Sequence, residues 1–318
     1  MLEIGVQTHN AVSDDNPNAG FKMISDAGFT CCDFSLNMYL KNTDLYEQRL
    51  NGFFDKSINE LESFFSLHKK AAIDNGIRIH QMHMPYPNFV PDASDEINNY
   101  LLNEMAPKSM QISDFFGCRY IVVHAPKVKR FYGSEEAEWE KAEEFLSHIL
   151  PMAKEMGITV CVENIYISAG AHIIEGPCGN PTKMAERIDR INDEYKAEVL
   201  GYCFDTGHAN IVGLDFEKFL NILGKRVKVL HIHDNDGISD LHQMPFTFTK
   251  TRENNPSTDW NGFLRGLRAA GFDKVLSFET APVLKSFPEE LRPVALRTIA
   301  DIGKYFAAKL DATSAEDT

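Results

Sequence analysis

Three absences narrow the reading of this chain before any motif does. No run of about 18 consecutive apolar residues occurs among its 318, so no stretch is long enough to cross a bilayer as a helix. The opening Met1-Leu2-Glu3-Ile4-Gly5 lacks the basic stretch and long apolar stretch of a secretory leader and enters directly what reads as a strand. The expectation is a soluble, cytoplasmic protein. Positive charge is also in short supply: 32 Lys and Arg against 46 Asp and Glu leave a formal net charge of -14. Such a surface repels polyanions, whereas nucleic-acid-binding proteins gather Lys and Arg into a basic field. A local exception, Lys127-Val128-Lys129-Arg130, reads as a solvated loop.

The six cysteines have no metal-clamp or redox spacing. Cys31, Cys32, Cys118, Cys161 and Cys203 lie in or beside apolar runs, which predicts reduced, buried thiols. No linker interrupts the chain, and (β/α)8 barrels of roughly 250 residues or more fold as one unit. One catalytic domain over residues 1–310 is therefore expected, with 311–318 as a small, polar, fraying tail.

Apolar, β-branched runs alternate with segments of helical period, the pattern of repeated βα units around a parallel sheet. Strands are expected at Glu3 to Thr8, Phe29 to Phe34, Ile77 to Met84, Arg119 to His124, Ile158 to Glu163, Val199 to Asp205, Val227 to His231 and Lys274 to Glu279. Helices fall between them, and Gly28, Gly76, Gly117, Gly157 and Gly271 each stand where a helix gives way to a strand. The fold class is α/β. Eight units close into a single (β/α)8 TIM barrel more naturally than they open into a doubly wound sheet, the alternative that spacing alone leaves.

The ionisable residues fall at the ends of these strands. Strand 3 closes with His83, strand 4 with His124, strand 5 with Glu163-Asn164, strand 6 with Asp205-Thr206-Gly207-His208, strand 7 with His231-Ile232-His233-Asp234 and strand 8 with Glu279-Thr280. In a barrel these ends meet on the face where TIM-barrel active sites are built. A single histidine there would more simply be a hydrogen-bonded core residue. Several carboxylates converging without a cation would repel each other, however, and burial makes each costly. Imidazole nitrogen and carboxylate oxygen together suit Zn2+, Mn2+ or a related ion such as Mg2+ or Co2+. Glu163, Asp205, His231 and Glu279 are the expected central ligands. His83, His124, His208, Asp240 and His242 form a second group, for further ions or for substrate.

This ordered set resembles the metal-binding motifs of the xylose isomerase-like TIM-barrel superfamily, which includes endonuclease IV, ketose 3-epimerases and inosose dehydratases. The resemblance implies a divalent metal held by Glu163, Asp205, His231 and Glu279, with Glu163 and Glu279 as acid and base and His208 touching substrate. It implies a sugar isomerase or epimerase that abstracts a proton next to a carbonyl and passes through an enediolate. A lyase, acting on a keto-sugar, keto-cyclitol or oxidised glycoside, is the second expectation. Phosphodiester hydrolysis is the third, because His83, His124, Asp240 and His242 are similar to the extra ligands of three-zinc endonuclease IV. A non-catalytic sugar-binding barrel is the fourth. The expected partner is a sugar or sugar derivative, without membrane or nucleic acid, and a homo-oligomer or partner subunit fits the lyase relatives. One departure stands out. Ketose 3-epimerases are expected to carry a substrate-binding Glu six residues beyond Glu163, where this chain has Ala169. Phe246, Phe248, Lys250 and Arg252, in the loop after strand 7, are candidates to bind substrate instead.

Overall fold

The apolar runs become strands and the periodic segments become helices, in the expected alternation. The computed structural model describes residues 1–128, 135–170, 172–250 and 255–312. Its principal strands are β1 (Ile4–Gln7), β2 (Cys31–Ser35), β3 (Arg78–His83), β4 (Tyr120–Val123), β5 (Thr159–Glu163), β6 (Leu200–Asp205), β7 (Val227–His231) and β8 (Leu276–Phe278). They form one sheet in the order β8-β1-β2-β3-β4-β5-β6-β7. A parallel bridge between Ile232 and Phe278 then carries β7 onto β8. There the Ile232 N–H donates to the Ser277 carbonyl at 2.9 Å and the Glu279 N–H to the Ile232 carbonyl at 3.1 Å. The two ends of the sheet meet, so the fold is a (β/α)8 barrel and the doubly wound alternative is not realised.

Strands of such a barrel are covered on both faces, which is why they read as continuous apolar runs. Every residue of β1, β2, β5, β6, β7 and β8 is buried. The αβ turns recur as expected: Gly28 (φ 102°) and Gly117 (φ 72°) end their helices in the left-handed region, where a Cβ would be strained.

Two compact units divide the chain. One takes residues 1–33, 71–78 and 204 onward. Within it β1 lies between β8 and β2, with Val6 opposite both Phe278 and Cys32, and Phe204, Phe219, Phe263, Trp260 and Phe306 pack ring against ring. The other takes residues 34–70 and 79–203. Within it β4 pairs with β3 and β5, and Glu163 stands opposite Cys203 of β6. Its aromatic cluster joins Phe34, Tyr39, Phe53, Phe65 and Phe116.

Several short elements lie outside the expected alternation. A hairpin, Tyr166–Ala169 with His172–Glu175, follows β5, and a six-residue helix, Thr206–Ile211, leaves β6 directly. The helical stretch between β3 and β4, Asp95–Phe116, widens to a π-helical turn at Leu101–Met105, where Pro107 removes an N–H and crowds the carbonyl four residues before it. All six cysteines are buried, and none is in a disulfide. Among the described residues no helix is long and apolar enough to cross a membrane. Lys129, Arg130 and Arg252 lie outside the described residues, as does 313–318; Asp311 closes the last helix and pairs with the Met1 amino group at 3.0 Å.

Candidate metal centre

The ends of β6, β7 and β8 deliver Asp205, His231 and Glu279, and one donor atom of each lies within 4.8 Å of the others. His231 is fully buried. Its Nδ1 faces Glu279 Oε2 at 3.3 Å and Asp205 Oδ2 at 4.0 Å, while its Nε2 lies 3.2 Å from Asp33 Oδ2. Asp205 also caps the helix that follows it, accepting the His208 N–H at 2.6 Å, and Glu279 Oε1 accepts from Gln7 Nε2 at 2.6 Å. Both carboxylates are thus oriented by protein donors before any ligand arrives.

A second cluster sits in the same unit, on the loop after β7. Asp240 Oδ2 stands between His208 Nε2 at 3.3 Å and His242 Nε2 at 3.2 Å. Burial opposes charge on His242, yet the Glu279, Asp240 and Asp205 carboxylates raise its pKa to about 10. Burial likewise works against ionised Asp240, and the two imidazoles overcome it and hold its pKa well below the usual carboxylate range. Asp234 moors this loop. Its carboxylate accepts from Thr258 Oγ1 at 2.6 Å and from the Asn235 and Phe248 N–H groups, and its backbone exchanges two hydrogen bonds with Gln243.

The other unit holds a third set at the ends of β3, β4 and β5. His124 Nε2 lies 3.2 Å from Glu163 Oε2 and 3.2 Å from His83 Nε2, which is itself 3.6 Å from Glu163. His83 Nδ1 donates to the Met84 carbonyl at 2.7 Å, so its Nε2 carries the lone pair that a cation would use. Tyr86 stacks on His124 at 4.3 Å and Asn88 donates to the His124 carbonyl at 2.8 Å. These are nitrogen and carboxylate donors, His83 and Glu163 buried and His124 half-buried, and they fit Zn2+ or Mn2+.

The expected site residues thus come together within each unit: Asp205, His231 and Glu279 beside His208, Asp240 and His242 in one, and His83, His124 and Glu163 in the other. Arg252 lies outside the described residues, and Ala169 pairs with His172 near the tip of the hairpin after β5. Four residues of the site were not singled out from sequence. Gln7 ends β1 and His9 follows it, Asp33 sits in β2, and His233 follows β7. Burial lowers the pKa of His9, and the Glu279 carboxylate pulls against that shift. The signals were there to read: Asp33 interrupts an apolar strand, and His231-Ile232-His233 alternates with the two-residue period that turns both imidazoles to one face.

A carboxylate behind a ligating imidazole fixes its tautomer, and losing such a partner costs roughly 10- to 100-fold in metal affinity. Asp33→Asn is expected to weaken Zn2+ or Mn2+ binding by about that factor, measured by competition with a chelating dye. Affinity equal to wild type would show that Asp33 does not act through His231.

Two curated relatives resemble the chain. The uncharacterized protein MJ1311 of Methanocaldococcus jannaschii is 26% identical over 201 residues, 62% of this chain and 63% of its own length. The uncharacterized protein y4fM of Sinorhizobium fredii is 27% identical over 120 residues, 38% of this chain and 35% of its own. The match thus spans less than two thirds of either relative. Among solved structures, a D-psicose 3-epimerase in the presence of D-fructose superposes with a TM-score of 0.66 at 13% identity, covering 98% of this chain and 100% of that one. An IOLI protein with a bound zinc atom gives 0.65 at 15% identity, with 96% and 99% covered. The 3-keto-D-glucoside 4-epimerase YcjR from E. coli gives 0.62 at 17% identity, with 95% and 100% covered. At such identities the likeness is one of fold. The sequence profile of a single family spans residues 21–299, nearly the whole barrel, and on that match the chain belongs to the xylose isomerase-like TIM-barrel family.

Proposed function

We propose that this protein is a metal-dependent sugar isomerase or epimerase, in which Glu163, Asp205, His231 and Glu279 hold a divalent cation and Glu163 and Glu279 move the proton. The observation that carries this reading is the convergence of Asp205 and Glu279 on buried His231, with Glu279 Oε2 3.3 Å from Nδ1. Two carboxylates in so enclosed a place are stable when a cation offsets their charge. A cation held there supplies positive charge beside a carbonyl oxygen while a proton leaves the neighbouring carbon.

The rest is the work of the chain's own side chains. Gln7 fixes Oε1 of Glu279, which directs Oε2 inward as the proton acceptor. Glu163, from a different strand, serves as the opposing acid or base, and His208 binds a substrate hydroxyl. Return of the proton to the opposite face gives the epimer, and return to the adjacent carbon gives the isomer. Loss of a β-substituent instead would make the protein a lyase. With Ala169 in place of a carboxylate, recognition of the sugar's far end falls to other loops, which favours a substrate other than a free ketohexose.

The test is elemental analysis of bound metal, followed by incubation with ketoses, 3-keto sugars and inososes in D2O. Deuterium is expected at a carbon next to the carbonyl of at least one of them. No incorporation across the panel, with metal bound, would overturn the reading.

The additional ligand types His83, His124, His208, Asp240 and His242 favour a second reading, phosphodiester hydrolysis on a multinuclear zinc centre. It requires three zinc ions per chain, salt-sensitive binding of duplex DNA and cleavage at an abasic site. The net charge of -14 weighs against it.

A further inference from the structure

We infer that His233 is the positioning residue for Asp205, fixing the carboxylate's rotation so that one oxygen is presented to the cation; this deepens the proposed function and rests on Asp205 being a ligand. The torsion that turns a carboxylate about its last bond is soft and broad, so hydrogen bonds must set it. His233 Nε2 lies 3.1 Å from Asp205 Oδ1 and 3.0 Å from Oδ2. An ionised carboxylate only accepts, and Nε2 is therefore the protonated nitrogen.

Everything around the ring holds it to that task. His233 is fully buried. Thr206 clamps its backbone from both sides, its Oγ1 accepting the His233 N–H at 2.9 Å and donating to the His233 carbonyl at 2.8 Å. His242 stacks on its face at 4.0 Å with the planes 14° apart. Gly207 leaves the ring its room: a Cβ there would stand 1.9 Å from His233 Cε1. The His233 ring Nε2–H, the His208 backbone N–H and the cap geometry of Asp205 together leave the carboxylate little freedom to turn.

The experiment uses the full chain, with Co2+ as the probe. In the 15N imidazole spectrum His233 is expected to be protonated at Nε2, with that resonance displaced in Asp205→Asn. His233→Leu should lower cobalt affinity by roughly 10- to 100-fold, the range for lost outer-shell partners, and alter the visible cobalt spectrum. His233→Gln, whose amide N–H can still donate, should recover most of both. An Nδ1-protonated His233, or a folded leucine variant that binds cobalt as tightly as wild type with the same spectrum, would overturn the inference alone. Wild-type protein that takes up no cobalt and no other divalent ion would remove the metal reading of the site, and this inference with it. Should the leucine variant fail to fold, the tautomer and the glutamine variant decide: a glutamine variant that loses affinity like an unpartnered Asp205, beside an Nδ1-protonated wild-type ring, overturns it.

Discussion

Glu279→Gln is expected to slow deuterium exchange at the carbon next to the substrate carbonyl by about 10²- to 10⁴-fold, the usual contribution of a positioned acid or base. The substitution is isosteric, and the amide oxygen at 279 can still accept the Gln7 hydrogen bond that now runs at 2.6 Å to Glu279 Oε1. What disappears is basicity, together with a negative charge 3.3 Å from His231 Nδ1 and 3.7 Å from His242 Nδ1. Folding, followed by far-UV circular dichroism, should persist. Exchange at the wild-type rate would leave Glu279 a ligand at most and transfer the proton chemistry to Glu163 or to another group.

The second large effect comes from the smallest side chain in the site. Gly207→Ala would place its Cβ 1.9 Å from Cε1, 2.4 Å from Nδ1 and 2.6 Å from Nε2 of His233. The backbone of Gly207 is outside the left-handed region, and alanine favours a helix over glycine, so local conformation alone would predict a gain. Sterics decide the other way. The ring cannot retreat from a pocket closed by His242 and Thr206, and overpacking of this severity costs about 3 kcal/mol or more. Urea denaturation should show a clear loss of midpoint, accompanied by weaker metal binding as His233 leaves Asp205. A midpoint and a metal affinity both unchanged would mean that the pocket yields more readily than its geometry implies.

Much of this was legible in the sequence because barrel strands are apolar throughout, which makes a polar residue inside or at the end of one conspicuous. His83, His124, Glu163, Asp205 and His231 each terminate such a run, and the structure puts each at or beside its strand's last residue. Gln7 and Asp33 escaped for different reasons. An amide carries no charge to draw notice, and Asp33 lies within β2 rather than after it. The short helix at Thr206–Ile211 was hidden because Gly207 reads as a loop residue, when its lack of a Cβ serves His233 instead. The hairpin at 166–175 could not be told from an irregular loop, since four-residue strands carry too little pattern to distinguish. Which side chain sits behind which ligand is a matter of register between strands far apart in sequence, and one chain alone does not encode that visibly.

The mooring of the loop after β7 bears on how the protein matures. Asp240 and His242 hang between two fastenings, the backbone ladder that joins Asp234 to Gln243 and the Thr258 hydroxyl on the Asp234 carboxylate. Asp240 also meets His208, from the helix after β6, and that contact exists only once β6 and β7 lie side by side in the sheet. An ion held by His208, Asp240 and His242, as the multinuclear reading has it, would bind the finished chain and have little purchase on the unfolded one, so its uptake would draw the folding equilibrium toward completion. In a newly made chain, ion uptake there would thus report that β6 and β7 have come together.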